Sequence, residues 1–216
     1  MHNSTLIPEW VIDLESYRRW ARSTDFPTTG TYSFLDGVIW VDLHKEEFFT
    51  HNQVKGNLIS TLGRLIQNCQ IGYLFTSRAI WSQPGANMST MSDLFFVSYE
   101  TVISDRARFV EEKNYGPVEV EGSPNMVLEI VSDSSVKKDT QVLKEKYAKA
   151  GVDEYWLVDA RGSDLRFEIW RLQDESYVAS PNDEGWLTST VFGRAFKLEQ
   201  GKDRLGHPRF QLHVRE

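Results

Sequence analysis

Two carboxylates in this chain stand where charge is expensive. Glu129 interrupts the apolar run Met126-Val-Leu-Glu-Ile-Val131, and Asp93 is flanked by large apolar residues in Met91-Ser-Asp-Leu-Phe-Phe-Val97. Acidic side chains are almost never fully buried without a partner. A carboxylate inside a buried strand therefore needs a cation, a hydrogen-bond donor or a metal. If the two strands are neighbours, Asp93 and Glu129 form an oxygen-rich pair suited to Mg²⁺ (or Mn²⁺). A metal so placed can activate water and stabilise charge on a phosphoryl oxygen. Lys146 is the candidate third member, because a nearby ammonium would stabilise developing charge or orient the water. Two plainer readings stand beside this one. Asp93 could simply start a strand, with Glu129 paired to an arginine. Lys146 could carry its charge out past its apolar stem.

The elements that would position these groups can be read from spacing. Glu129 lies on a strand, and a helix runs roughly from Asp139 to Ala150 before stopping at Gly151, a residue suited to a helix C-terminus. Asp153 to Asp159 is the next strand. Strand, crossover helix and strand predict a right-handed βαβ unit with parallel strands. On the helical wheel Lys146 falls between Val142 and Leu143, inside the apolar stripe that Tyr147 and Ala150 complete. That face would bring its ammonium to Glu129.

Upstream, Glu9 to Arg22 reads as a short helix. Tyr32 to Val41 reads as a hairpin turning at Asp36-Gly37. Phe49 to Cys69 carries the strongest helical periodicity, through Val54, Leu58, Leu62, Leu65 and Ile66. Tyr73 to Trp81 and Met91 to Val97 are predicted strands. Residues 99–124, rich in acids, read as a surface excursion with short strands. From Ser163 onward, short arms separated by turn residues predict an antiparallel β-meander that extends the sheet edge.

The whole chain of 216 residues fits one domain, with a core over 10–162 and a β-rich extension over 163–216. Its net charge of -7 argues against a protein that coats nucleic acid, so contact with DNA would need a local basic patch or a metal. A single cysteine, Cys69, rules out an internal disulfide and fits a cytoplasmic setting. No apolar run approaches a membrane span, and Met1 to Trp10 lacks the basic start and apolar core of a signal peptide. The five histidines are scattered, His2 among them, without zinc-site spacing. His51 opens the long helix, either as a capping residue or lining the site. Lys137 and Lys138 lie at the mouth of the proposed site and could touch phosphate, or could be solvated surface.

Four stretches together resemble the Uma2-like family of putative restriction endonucleases, a branch of the PD-(D/E)XK nuclease superfamily. They are Tyr32-Ser-Phe-Leu-Asp-Gly37, His51-Asn-Gln-Val54, Met91 to Ser98, and Pro124 to Ser135 running on to Ala150-Gly-Val-Asp-Glu-Tyr-Trp-Leu-Val-Asp159. The resemblance covers roughly residues 10 to 172 and is most specific at Asp139, Tyr147, Gly151-Val152 and Glu154-Tyr-Trp156. It implies an α/β fold: a restriction-endonuclease-like core with a mixed central sheet flanked by helices. It further implies DNA as substrate, a divalent metal and a homodimer. By this analogy Asp93 is the aspartate of the Pro-Asp motif and Glu129 the acid of the second half-motif. The chain departs from the pattern at Ser92 for proline, Ser33 for glutamate and Val131 for the usual lysine. Leu143 stands where the family's helix lysine is usual, and Lys146, one turn on, would replace it. With that departure, a catalytically degenerate relative that binds nucleic acid or a protein partner is the alternative expectation.

Overall fold

The computed structural model describes residues 7–113 and 115–216, so His2 and the start of the Met1–Trp10 segment lie outside it. Helix α1 (Leu14–Ala21) starts at a capping box in which the Asp13 carboxylate accepts from the Ser16 backbone N–H and the Ser16 hydroxyl accepts from the Asp13 N–H. Strands β1 (Thr31–Leu35) and β2 (Val38–Asp42) form the predicted hairpin about Asp36-Gly37, both with positive φ. A wide π-type turn over Phe48–Gln53 leads into α2 (Val54–Cys69), whose Val54, Leu58, Leu62 and Ile66 are all buried. Strands β3 (Gly72–Thr76), β4 (Ile80–Gln83), β5 (Met88–Met91) and β6 (Leu94–Ser98) follow, then the short helix α3 (Tyr99–Ile103). Strands β7 (Ala107–Glu112), β8 (Gly116–Gly122) and β9 (Met126–Ile130) lead to a second π-type turn over Lys138–Val142. That turn opens α4 (Leu143–Lys149). The chain ends in seven strands: β10 (Glu154–Asp159), β11 (Arg166–Gln173), β12 (Ser176–Ala179), β13 (Asn182–Asp183), β14 (Trp186–Ser189), β15 (Arg194–Lys202) and β16 (Pro208–Arg215).

These strands form three sheets. One runs β2-β1-β5-β4-β8-β7, a second runs β12-β11-β10-β9-β6-β3, and a third runs β13-β14-β15-β16. The second is the central sheet. Its β9–β10 pair is parallel, as the crossover helix demands, and its remaining pairs are antiparallel, so it is mixed. Every residue of β9 is buried, because both faces of this strand are covered. Met126, Leu128 and Ile130 pack with α2 and the C-terminal sheet; Val127 and Val131 pack on the opposite side with Leu143, Tyr147 and the first sheet. Side chains alternate along a strand, so Glu129 shares the face of Val127 and Val131.

Several expectations need correction. Tyr73 to Trp81 is not one strand: Ser77 and Arg78 both take positive φ, and the chain moves from the central sheet to the first. Met91 to Val97 is likewise divided, because Met91 closes β5 in the first sheet and Leu94 opens β6 in the central one. The acidic stretch 99–124 is not merely a surface excursion. Strand β8 pairs parallel with β4, and its Glu119 is buried against Arg18 and Arg22 at the C-terminal end of α1. The tail does extend the edge of the central sheet, through β11 and β12 alone. Strands β13–β16 instead form a separate sheet whose Phe196, Leu198 and Leu212 cover the apolar stripe of α2.

Candidate active site

Asp93 occupies the two-residue step by which the chain changes sheets. Because Leu94 faces Leu128 across the antiparallel β6–β9 pair, Asp93 stands opposite Glu129. The backbone stitches them together: the Ile130 N–H donates to Asp93 Oδ2 at 2.8 Å, and the Asp93 N–H donates to Glu129 Oε2 at 3.3 Å. The predicted pairing of the two carboxylates is thus what the strands produce.

The two acids have opposite company. Lys55, the second residue of α2, places Nζ 2.8 Å from Asp93 Oδ1, and His51 Nε2 lies 3.6 Å from Oδ2. Burial would raise the Asp93 carboxyl, but His51 and Lys55 outweigh it and hold the group well below the usual carboxylate range. Burial lowers Lys55 and His51 in turn, and their carboxylate partners more than reverse this, so both stay raised. Among the described residues, Glu129 has no such cation in contact. Its strong donor is the Tyr147 hydroxyl at 2.5 Å, itself held by Ser92 and, through Ser92, by Trp81 Nε1. Burial, then the charges of Asp93 and Asp139, push Glu129 up to about 8. Asp139, at the start of the turn before α4, is raised to about 6, by burial first, against the pull of Lys138 and Ser135.

Asp93, Glu129, Asp139, His51 and Lys55 line one cleft of about 390 Å³, with Gly30, Asp42 and Arg78 also in its wall. The donor set fits a hard divalent cation. Asp93 and Glu129 present oxygen ligands to a cleft that Asp139 also lines, Asp139 Oδ1 has no hydrogen-bond partner among the described residues, and the negative charges of Asp93 and Asp139 repel that of Glu129. A metal ion would relieve that repulsion.

Lys146 does not reach this cleft. Its ammonium pairs with Asp36 at the β1–β2 turn, and the neighbouring Tyr147 is the α4 residue directed at Glu129. A rotation of one residue, about 100° on the helix, separates the two outcomes. Leu143 is fully buried in the core, so the usual helix-lysine position is apolar here. Of the two lysines, Lys138 lines the cleft and lies 3.8 Å from Asp139, whereas Lys137 is exposed and does not line it. His51 does line the cleft. Sequence reasoning missed Lys55, hidden inside an apolar helix pattern. The readable signal was its spacing: it lies four residues after His51, and so on the same helix face.

The mixed-sheet α/β core has a restriction-endonuclease-like architecture. The chain belongs to the Uma2 family, described as putative restriction endonucleases, whose model matches residues 14–199. Its fold is similar to the crystal structure of a putative nuclease of the DUF820 group from Anabaena variabilis. That likeness has a TM-score of 0.61 at 16% identity and covers 84% of this chain and 91% of the other. No curated protein matches the chain. Among the described residues, no helix is long and apolar enough to cross a membrane.

Proposed function

We propose that this protein is a metal-dependent endonuclease that hydrolyses DNA phosphodiester bonds. The observation that carries the reading is the opposition of Asp93 and Glu129 in an open cleft, with Glu129 left short of positive charge. Asp93 and Glu129 would hold Mg²⁺ or Mn²⁺, with Asp139 beside them. When bound, the ion would polarise a phosphoryl oxygen and make water a better nucleophile. The protein's own groups set the stage for that chemistry. The Tyr147 hydroxyl fixes the rotamer of Glu129, and the Ile130 N–H fixes Asp93. Lys55 brings the cation nearest the carboxylates, in the role expected of Lys146, where its charge can offset that of a phosphate. Lys138 at the cleft wall is placed to meet the nucleic-acid backbone. A homodimer cutting both strands in the cytoplasm belongs to the same reading.

A specific feature favours a second reading, a non-cleaving relative that binds nucleic acid or a protein partner. Leu143 fills the usual lysine position and Lys55 already holds Asp93. Incubation of supercoiled plasmid with Mg²⁺ or Mn²⁺ separates the two. The nuclease reading expects nicking by wild type and none by folded Asp93→Asn or Glu129→Gln. Wild-type protein inert with both metals on plasmid, linear and single-stranded DNA would leave the second reading.

A further inference from the structure

Beside the Asp93–Glu129 pair lies a second constellation. Glu46, His51 and Asp93 each offer one ligand atom, all within 4.8 Å of one another. His51 Nδ1 is 3.7 Å from Glu46 and Nε2 is 3.6 Å from Asp93. The imidazole is 10% exposed, and Nδ1 has no hydrogen-bond partner among the described residues. A buried polar atom left without a partner is costly, and the few such atoms in a native structure call for an explanation. Lys55 supplies the second observation. Its ammonium bridges Glu46 and Asp93, so a positive charge already stands between two of the three groups.

We infer that Glu46, His51 and Asp93 form a divalent-cation site that prefers an imidazole-accepting ion such as Mn²⁺ to Mg²⁺, with Lys55 as the resident cation which that ion displaces. Through the shared Asp93, this rests on and deepens the metal-dependent reading above. The chemistry of the donors sets the preference. Mg²⁺ takes oxygen ligands and parts with its water reluctantly, whereas a nitrogen ligand favours first-row transition ions over Mg²⁺. Lys55 sets the affinity, because an incoming ion must break two ion pairs before it gains its ligands. The cleft gives a hydrated ion a path to the site, since Glu46, His51, Lys55 and Asp93 all line it.

The test is calorimetric titration of the EDTA-dialysed full chain with MnCl₂ and, separately, MgCl₂. Wild type is expected to bind Mn²⁺ about tenfold or more tightly than Mg²⁺. His51→Ala should loosen Mn²⁺ by roughly tenfold or more and erase the preference. Glu46→Gln, at a partly exposed carboxylate where the fold is at little risk, should loosen Mn²⁺ in the same direction. Lys55→Met should tighten both ions. Circular dichroism confirms folding of each variant. The inference is overturned if folded His51→Ala and Glu46→Gln bind Mn²⁺ as wild type does. It is equally overturned if wild type shows no preference, or if neither wild type nor Lys55→Met binds Mn²⁺. Plasmid cleavage on the same samples keeps the two proposals apart. His51-dependent Mn²⁺ binding without cleavage upholds the site and removes the nuclease reading; cleavage with His51-independent binding does the reverse.

Discussion

Glu129 and Glu154 stand on adjacent parallel strands of the central sheet, and both are buried. They solve the problem of buried charge in different ways. Glu154 is wholly enclosed and accepts from the Trp156 indole, the Ser189 and Thr190 hydroxyls, and the backbone N–H groups of Thr190 and Val191. Its carboxylate is satisfied by the chain, and it ties β10 to the turn after β14 that leads into β15. Among the described residues, Glu129 accepts from the Tyr147 hydroxyl and, at longer range, the Asp93 N–H, with two neighbouring carboxylates in a cleft. A buried acid with its donors complete holds a fold together; a buried acid left short of them points to a ligand. The distinction lies in the partners rather than in the residue.

Breaking the structural member should have the largest effect on stability. Glu154→Leu leaves several buried donors unsatisfied and should cost about 3–5 kcal/mol, read by chemical denaturation. Glu129→Gln should do the opposite while abolishing any cleavage. A carboxyl raised from 4.5 to about 8 binds its proton more tightly when folded. The unfolded chain ionises first, so wild-type stability falls as pH rises from about 4.5 to 8. Removing that ionisation should flatten the fall and leave the variant more stable at pH 9, in EDTA, by on the order of 1–3 kcal/mol. Asp93 works with the reverse sign: its depressed pKa contributes stability above 3.8 that is lost as pH falls further.

Smaller changes sharpen the contrast. Tyr147→Phe removes the hydroxyl between Glu129 and Ser92. It should cost about 1–2 kcal/mol and raise the Glu129 pKa further, since that hydrogen bond lowers it. Lys146→Ala should be the mildest. It breaks an ion pair with the half-exposed Asp36 and should shift stability by no more than about 1 kcal/mol. A plasmid assay should show activity retained, which would separate Lys146 from the Asp93–Glu129 cleft.

Local patterns made much of the fold legible. The Asp36-Gly37 hairpin, the α2 stripe and the βαβ unit each follow from spacing within a short window, and the structure has all three. The carboxylate pair was legible too, because charge amid apolar residues stands out. What escaped reading depends on contacts distant in sequence. Glu119 is buried because Arg18 and Arg22, about a hundred residues earlier, neutralise it. The break at Ser92-Asp93 arises because two sheets diverge there, which no local propensity encodes. Lys55 meets Asp93 only once α2 has packed on the central sheet. Lys146 and Tyr147 differ by one residue around a helix, and the π-type turn before α4 helps set which of them faces Glu129.

The central claim is that Glu129 lacks the partners to stay ionised on its own. It is tested most directly by ¹³C NMR titration of glutamate side-chain carboxyls in EDTA, with Glu129→Gln to assign the resonance. The account predicts a Glu129 carboxyl titrating near 8 and moving well down on addition of Mn²⁺. A Glu129 carboxyl that titrates at or below the ordinary glutamate range without metal would contradict it.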